Sequence, residues 1–510
     1  MLSANWVGPL GGGVTTEILA SLALLVLCTL IFSPYSFSKY VTLRKIPRAG
    51  KVPGWFNGTV AKRDFIANGA SIIEAGYRKY RDSMFLVQTA DMERIVLSPK
   101  YVDEIRTAPE NILSVREGMV ERHLGKYTTL DIILTSHLQN DVCKAQLTQN
   151  LNRLIGPVNE EARFWLSQRI PDSKPRVELR GHETILRVIA GVTSRVLIGH
   201  PLSRNEAWLD VAVGYTLDVF HVSTALRPYP PFLRWLVAPW LDSTKRLQSH
   251  IRIANKHLSH IFSERMNPNY TGEKQLDMIQ WMVDSARGSD RNPDVLVRKM
   301  LFITLAAVHT STMSATHALF DLCAMPEYIE PLRDEVREVV GKYGWTLTAI
   351  NEMKFLDSFM KESQRVNHPG LLSFNRKVMQ PLHLSDGTFI PPKTFITMAT
   401  NSIARDPQNY REPDKFDGFR FYKKRQVSQE DAKRHQFVST GADSLPFGHG
   451  KFACPGRFFA AAQIKVVLAN ILLKYDISYP EGQSERPANI FSGEGIGPDR
   501  GQTIVFSKRT

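Results

Sequence analysis

The sequence is short of cysteine. Only Cys28, Cys143, Cys323 and Cys454 occur among 510 residues, far apart and with no C-x-x-C pair. That spacing excludes a small disulfide-stapled scaffold and offers no zinc-ligand pattern; it suits a reducing compartment. No stretch recurs at a fixed period, which excludes a solenoid or propeller array. The chain has no glycine-rich flavin or nicotinamide motif. Its formal charge is +14, yet no basic run is interleaved with aromatics. Nucleic acid is therefore set aside in favour of an anionic membrane surface or an acidic protein partner. Disorder is excluded by the 43% hydrophobic content, which is enough for a folded core. The length allows one large domain or two to three smaller ones.

One long uncharged stretch is present, residues 18–37, about the twenty residues that span a bilayer. Pro34 lies near its end, where a helix can stop. No Lys or Arg precedes it, whereas Lys39, Arg44, Lys45 and Arg48 follow. The positive-inside bias then places residues 1–17 in the lumen and the bulk of the chain in the cytosol. A cleaved signal peptide is the alternative, but it would want a basic n-region; a buried helix comes third. Residues 38–60 read as a basic, proline-bearing, non-helical linker, and residues 61–510 as the body.

Within the body, residues 85–87 and 94–97 read as two strands. Residues 111–135 read as polar and irregular. Residues 139–154 read as one helix, with Leu147, Leu151 and Leu154 on one side. An apolar, aromatic, proline-broken loop follows at 225–236. Asn292-Pro293-Asp294 is a strong helix start, an N-cap followed by proline at the first helical position. The helix it opens can run to Met325, where Pro326 stops it, spanning roughly 48 Å at 1.5 Å per residue. It is apolar nearly all round, so it should cross the core. A second amphipathic helix, 355–365, puts Glu362 and Arg365 three apart on one face. His368-Pro369-Gly370-Leu371-Leu372 breaks that helix. Asp386-Gly387 marks a hairpin at 382–390, and strand signals return around a glycine-rich turn at 491–501.

The stretch Phe447-Gly448-His449-Gly450-Lys451-Phe452-Ala453-Cys454-Pro455-Gly456 precedes a helical pattern at 457–475, with Phe458, Phe459, Ala462, Val466, Ala469 and Leu473 on one stripe. Cys454 thus lies just before a helix N-terminus, where the dipole and free N–H groups lower a thiol pKa. A thiolate held that way is a metal ligand or a nucleophile. The alternative is a buried structural cysteine.

The pattern Phe-x-x-Gly-x-x-x-Cys-x-Gly resembles the haem-binding loop of cytochrome P450 enzymes. Further signatures follow the family's order. Ala306-Ala307-Val308-His309-Thr310-Ser311 is similar to its Ala/Gly-Gly-x-Asp/Glu-Thr-Thr/Ser motif, with His309 in place of the acid and Ala307 in place of the glycine. Glu362 and Arg365 resemble its Glu-x-x-Arg pair. Residues 413–421, PDKFDGFRF, resemble its Pro-Glu-x-Phe…Arg-Phe segment, with Asp414 for Glu. The resemblance covers the chain after residue 37.

That resemblance implies a mainly α fold with a small β lobe, the cytochrome P450 fold, behind a single N-terminal transmembrane helix. It implies haem b with Cys454 as the axial thiolate, which favours O–O cleavage. Phe447, Gly448, Gly450 and Gly456 would shape the cofactor loop, with Phe447 packing near the sulfur. Thr310 would assist oxygen activation. His309 would carry protons or would be a core histidine bonded to a carbonyl. Glu362, Arg365 and Arg420 would form a structural trio. Ala306, Pro369, Leu371 and Ile496, with Gly495, would face substrate. The family usually has Arg or His two residues before the cysteine, binding a haem propionate; Phe452 stands there. Arg376 and Lys144, with His137 as a further candidate, would bind propionates instead.

The expected reaction is reductive O2 cleavage with oxygen insertion into a C–H bond, or an epoxidation, of an apolar secondary metabolite. Electrons would come from NADPH through a separate cytochrome P450 reductase, with cytochrome b5 a possible second donor. The 225–236 loop would dip into the endoplasmic reticulum membrane. Residues 147–151, 227–231 and 447–459 resemble fungal members, nearest the ent-kaurene-oxidase-like group that oxidises diterpenes and indole diterpenes. Two other functions stay open: a haem-thiolate isomerase or peroxide-using enzyme without a reductase, and a non-catalytic haem binder.

Overall fold

A computed structural model describes residues 21, 42–51, 58–171 and 175–509. Residue 21 apart, the expected span at 18–37 lies outside the described residues. Part of the expected linker at 38–60 belongs to the body. Arg48–Ala49 form an edge strand parallel to Leu86–Val87, and a helix begins at Gly58.

The central helix, Pro293–Ala324, is 32 residues long. The Asn292 side chain accepts the Asp294 N–H at 2.9 Å, and Pro293 occupies the first turn without forfeiting a hydrogen bond. Its flanks are buried against the helices Gly181–Ile198, Glu206–Leu226, Asp242–Arg265, Lys354–Val366 and Arg457–Lys474. By length and composition it is the one described helix that could cross a membrane; here it crosses the protein core, as its unbroken apolar surface predicts. Behind it, Leu151–Arg169 packs so closely on Gly181–Ile198 that a Cβ at Gly191 would lie 2.0 Å from the Trp165 indole nitrogen. Only glycine fits there.

The β lobe is built on a six-stranded sheet with strand order Arg48–Ala49, Met84–Gln88, Glu93–Leu97, Phe395–Met398, Ser373–Val378, Leu113–Ser114. Phe85 pairs with Val96 as an antiparallel neighbour. Each lobe has its own apolar cluster, a large one among the helices and a smaller one under the sheet. The Asp-Gly hairpin pairs Leu382 with Ile390, its Gly387 at φ +83°. The C-terminal hairpin pairs Ile490–Ser492 with Gly495–Gly497.

Two expectations need correction. Residues 111–135 are not irregular: Val115–Arg122 and Gly125–Thr128 are helical. The Ser114 hydroxyl caps the first by accepting the Glu117 N–H at 3.0 Å. Residues 139–154 are not one helix. Leu138–Val142 runs into a π-turn at Cys143–Leu147, and a new helix starts at Leu151. The leucines at 147, 151 and 154 are all buried, so the apolar stripe is real although the helix beneath it is interrupted.

Candidate functional site

Cys454 sits in the loop between a short 3-10 turn, Gly450–Phe452, and the helix Arg457–Lys474. Its backbone N–H donates to the Phe447 carbonyl at 2.8 Å, closing the loop on itself. The Phe447 ring meets Phe437 edge-on at 5.4 Å. Burial pushes the Cys454 thiol up, more than the Gly456 and Arg457 backbone N–H groups and the Arg457 charge pull it down. The helix N-terminus alone therefore does not lower this thiol below its usual range, contrary to the sequence expectation, because desolvation outweighs it. A cation at the sulfur reverses that balance, since a coordinating thiol is deprotonated outright.

The loop glycines have different causes. Gly450 holds φ +70° and packs against Arg106, whose carbonyl oxygen would lie 2.5 Å from a Cβ. Gly448 holds φ +66°. At Gly456 a Cβ would meet no protein atom within 4 Å, so this glycine borders open space.

On the central helix, most of which is buried, Ala306 and Thr310 are exposed. One turn of helix apart, they open the middle of a core helix onto accessible space. The Thr310 hydroxyl donates to the Ala306 carbonyl at 2.7 Å, leaving its lone pairs free to accept. His309 points elsewhere. Its Nε2 lies 2.9 Å from the Val213 carbonyl, which can only accept, so Nε2 carries the proton. Burial pushes His309 down, against the Val213 bond. It is a neutral strut between the central helix and Glu206–Leu226, the carbonyl-bonded alternative raised by the sequence.

Arg376 is 3% exposed. Its Nη1 donates to the Asn375 carbonyl at 2.9 Å, while Nε and Nη2 are buried without a partner. Burial alone pushes this guanidinium down to about 10. A buried cation with two idle donors fits an anionic group brought from outside the chain. Lys144 is exposed. His137 is half exposed and lies 3.5 Å from Glu110, so that carboxylate already claims it. The donor set (an electron-rich sulfur before a helix, an unfilled guanidinium fork, an open glycine) fits a haem with its carboxylate side chains.

Leu371 and Ile496 are buried together in the smaller core and are not exposed beside Thr310, whereas Pro369 and Gly495 are exposed. An isolated bridge joins Gly370 to Gly495, and the Leu371 N–H donates to the Glu494 carbonyl at 2.8 Å. The hairpin reaches the central helix at Gly497, whose Cβ position is 4.0 Å from the Met313 methyl.

Sequence reasoning missed what holds that hairpin. Arg94 Nη1 meets the Glu494 carboxylate at 2.6 Å and Arg94 Nη2 meets Asp91 at 2.6 Å, while Arg122 Nε meets Asp91 at 3.0 Å and Arg122 also pairs with Glu494. Arg94 and Arg122 hold the Asp91 carboxyl well below its ordinary value despite burial. These charges come from positions about 400 residues apart in the case of Arg94 and Glu494, and no local signal links them.

The predicted trio assembles as a closed cluster. Glu362 is fully buried. It accepts two bonds from Arg365 at 2.7 and 2.8 Å, two from Arg420 Nε at 3.1 and 3.2 Å, and the Asp417 N–H at 3.0 Å. Arg365 reaches on to the carbonyls of Ala404 and Pro413, and Arg420 to those of Arg411 and Lys415. Asp414 takes no part in the cluster; it lies 3.5 Å from Arg405 at the surface. Glu362→Gln leaves two guanidinium groups around a neutral amide, which should cost about 3–5 kcal/mol. The expected outcome is a protein that loses cofactor and melts earlier in a thermal scan. A melting temperature equal to the parent's would show that the trio is not structural.

Comparison with known proteins agrees with this geometry. Residues 47–505 match the family model described as Cytochrome P450. The chain is 39% identical to the cytochrome P450 monooxygenase AN1598 of Emericella nidulans over 90% of this chain and 86% of that one. It is 36% identical to the ent-kaurene oxidase P450-4 of Gibberella fujikuroi, covering 95% and 96%. It is also 36% identical to the cytochrome P450 monooxygenase paxP of Penicillium paxilli, covering 92% of each. An exposed Ala306 and Thr310 on the core helix, then a Glu-Arg-Arg trio, then a sulfur loop, within a family match along 47–505, make this chain a member of the cytochrome P450 family.

Proposed function

We propose that this P450 monooxygenase is membrane-anchored and oxidises an apolar terpenoid, by hydroxylation or epoxidation. The observation that carries the site assignment is an exposed hydroxyl, Thr310, on an otherwise largely buried core helix in a chain that also carries the loop thiol Cys454. The family's haem, reduced by NADPH-derived electrons from a reductase, supplies the oxygen chemistry when bound. This chain's residues then divide the remaining work. Cys454 would hold the haem iron, with the Gly456 and Arg457 N–H groups favouring its anionic form. The Thr310 hydroxyl, whose lone pairs are free to accept, would hold and pass a proton. Phe447, Gly448 and Gly450 would fix the loop, Gly456 would leave space beside it, and Arg376 with Lys144 would answer the carboxylates. Ala306 and Pro369 face substrate, while Leu371 and Ile496 back that wall from the core.

Similarity to ent-kaurene oxidases supports a terpenoid. Membrane attachment is supported by the uncharged stretch at 18–37 and by the loop after Glu206–Leu226. There Phe232, Trp235 and Trp240 are 71%, 64% and 78% exposed, a cost in water that an interface removes. The endoplasmic reticulum, with the catalytic body in the cytosol, fits the charge bias after residue 37. A separate reductase, with cytochrome b5 as a second donor, would meet the basic surface that includes exposed Lys451.

The test is product analysis in microsomes that carry the full chain and a fungal reductase, fed with ent-kaurene and other diterpenes and indole diterpenes. NADPH-dependent oxygenated product is expected. Oxygen uptake without product from any of them would remove the terpenoid assignment. In the same assay Thr310→Ala should lower product per NADPH by roughly tenfold, with peroxide released in its place, because the proton-handling hydroxyl is gone. Unchanged coupling would take Thr310 out of the chemistry.

A further inference from the structure

Arg376 is held by two aromatic rings from different parts of the chain. Its guanidinium carbon lies 4.2 Å from the Phe374 ring centroid and 5.3 Å from that of Phe452. Phe374 is in its own strand, two residues away. Phe452 belongs to the sulfur loop, two residues before Cys454. The strand is distorted at this contact. Phe374 sits at φ +59°, a left-handed conformation that a bulky residue avoids, and the register shifts between Ser373 and Arg376. Strain of this kind persists where surrounding structure enforces it.

The pattern of satisfied donors is as telling as the stacking. Nη1, on one edge of the guanidinium, is taken by the Asn375 carbonyl. Nε and Nη2, which share the other edge, are both unpartnered. That edge is the one that binds a single carboxylate through two parallel bonds.

We infer that Phe374 and Phe452 form a clamp that aims the Nε–Nη2 edge of Arg376 at one carboxylate of the cofactor, making Phe452 a positioning residue. The inference rests on the haem reading above. Where the family usually places a second donor, this chain places the platform for the first. Phe452 ties the donor to the same loop that carries the sulfur, so metal ligand and carboxylate ligand keep a fixed relation.

The experiment follows haem transfer from the purified full-length protein to excess apomyoglobin. Phe452→Leu should speed release by about tenfold, the scale of a desolvated cation–π contact. Phe452→Tyr, which keeps the ring, should release within about twofold of the parent. In an Arg376→Lys background, where the fork is gone, Phe452→Leu should add nothing. A tenfold effect that persists in that background would mean Phe452 acts by packing alone and would overturn the clamp. Unchanged release by Phe452→Leu in a haem-loaded protein would overturn the clamp and leave the haem reading intact. A purified parent that carries no haem would overturn both.

Discussion

Cys454→Ala is expected to abolish the thiolate signature of the reduced, carbon-monoxide-bound protein and all NADPH-dependent product. The reason is not simply that a ligand is deleted. A second sulfur, Cys143, lies close enough for the two thiols to influence each other electrostatically, and a rescue by it must be considered. Three features oppose rescue. Cys143 is fully enclosed, and burial pushes its thiol up to about 12, so it has little access to the anionic form that binds metal. It sits at the start of a π-turn inside a packed helix, not in a loop. Among the described residues no backbone N–H offsets the burial of Cys143, whereas those of Gly456 and Arg457 do so in part for Cys454. The thiolate band should therefore vanish in Cys454→Ala and be unaffected in Cys143→Ala. If the band survived the first substitution and disappeared in the double variant, Cys143 would be the ligand and the site would have to be rebuilt around it.

What could be read in advance was whatever the chain encodes within a few residues. Asn292-Pro293 announces its helix because capping is a contact with the second residue on. Asp386-Gly387 announces a turn because it needs a positive φ at one position. Glu362 and Arg365 meet because a helix brings i and i+3 together. Arg420 joined them only through the order of motifs, yet it lands on the same carboxylate. The failures are equally local in their cause. Nothing in Cys143-Lys144-Ala145-Gln146-Leu147 signals a π-turn: there is no proline or glycine, and the leucine stripe continues through it. The capped helix at Val115–Arg122 was hidden because its faces are polar, and its place is set by contacts with the strand Ser373–Val378. The Arg94–Asp91–Arg122–Glu494 cluster joins a turn, a helix end and the C-terminal hairpin, so only the folded chain reveals it. The Phe452 substitution was visible as a departure from the family pattern. Its physical meaning, a ring against a strained strand, was not.

Acidification from pH 7 to pH 5 should destabilise the fold steeply, through histidines that must stay neutral. His182, His317 and His368 are all buried. Burial pushes them down to about 4, about 3 and about 4 respectively. His317 lies on the central helix. Its Nδ1 accepts from Arg486 at 2.8 Å, a donor that would repel an imidazolium; Arg486 in turn pairs with buried Asp321. His182 faces Arg500 and His309. His368 Nδ1 lies 2.7 Å from the Gly370 carbonyl, with the Gly370 N–H at 3.4 Å; the carbonyl favours the protonated form without reversing the burial. In the unfolded chain each titrates near 6.5. Above that value both states are neutral and the stability is fully present. As pH falls below it, the unfolded state takes up protons that the folded state refuses, so stability is lost until the folded values near 3 to 4 are reached. Each histidine should cost about 2 kcal/mol at pH 5, and the three together about 6 kcal/mol. Thermal scans of the full-length protein at pH 7, 6 and 5 should show the melting temperature falling most between 6 and 5. His317→Gln should flatten the decline by about 2 kcal/mol at pH 5, since glutamine can accept from Arg486 and has no proton to gain. A curve that is level from pH 7 to 5, or a His317→Gln curve as steep as the parent's, would mean that these rings are reached by water and are not held neutral by the core.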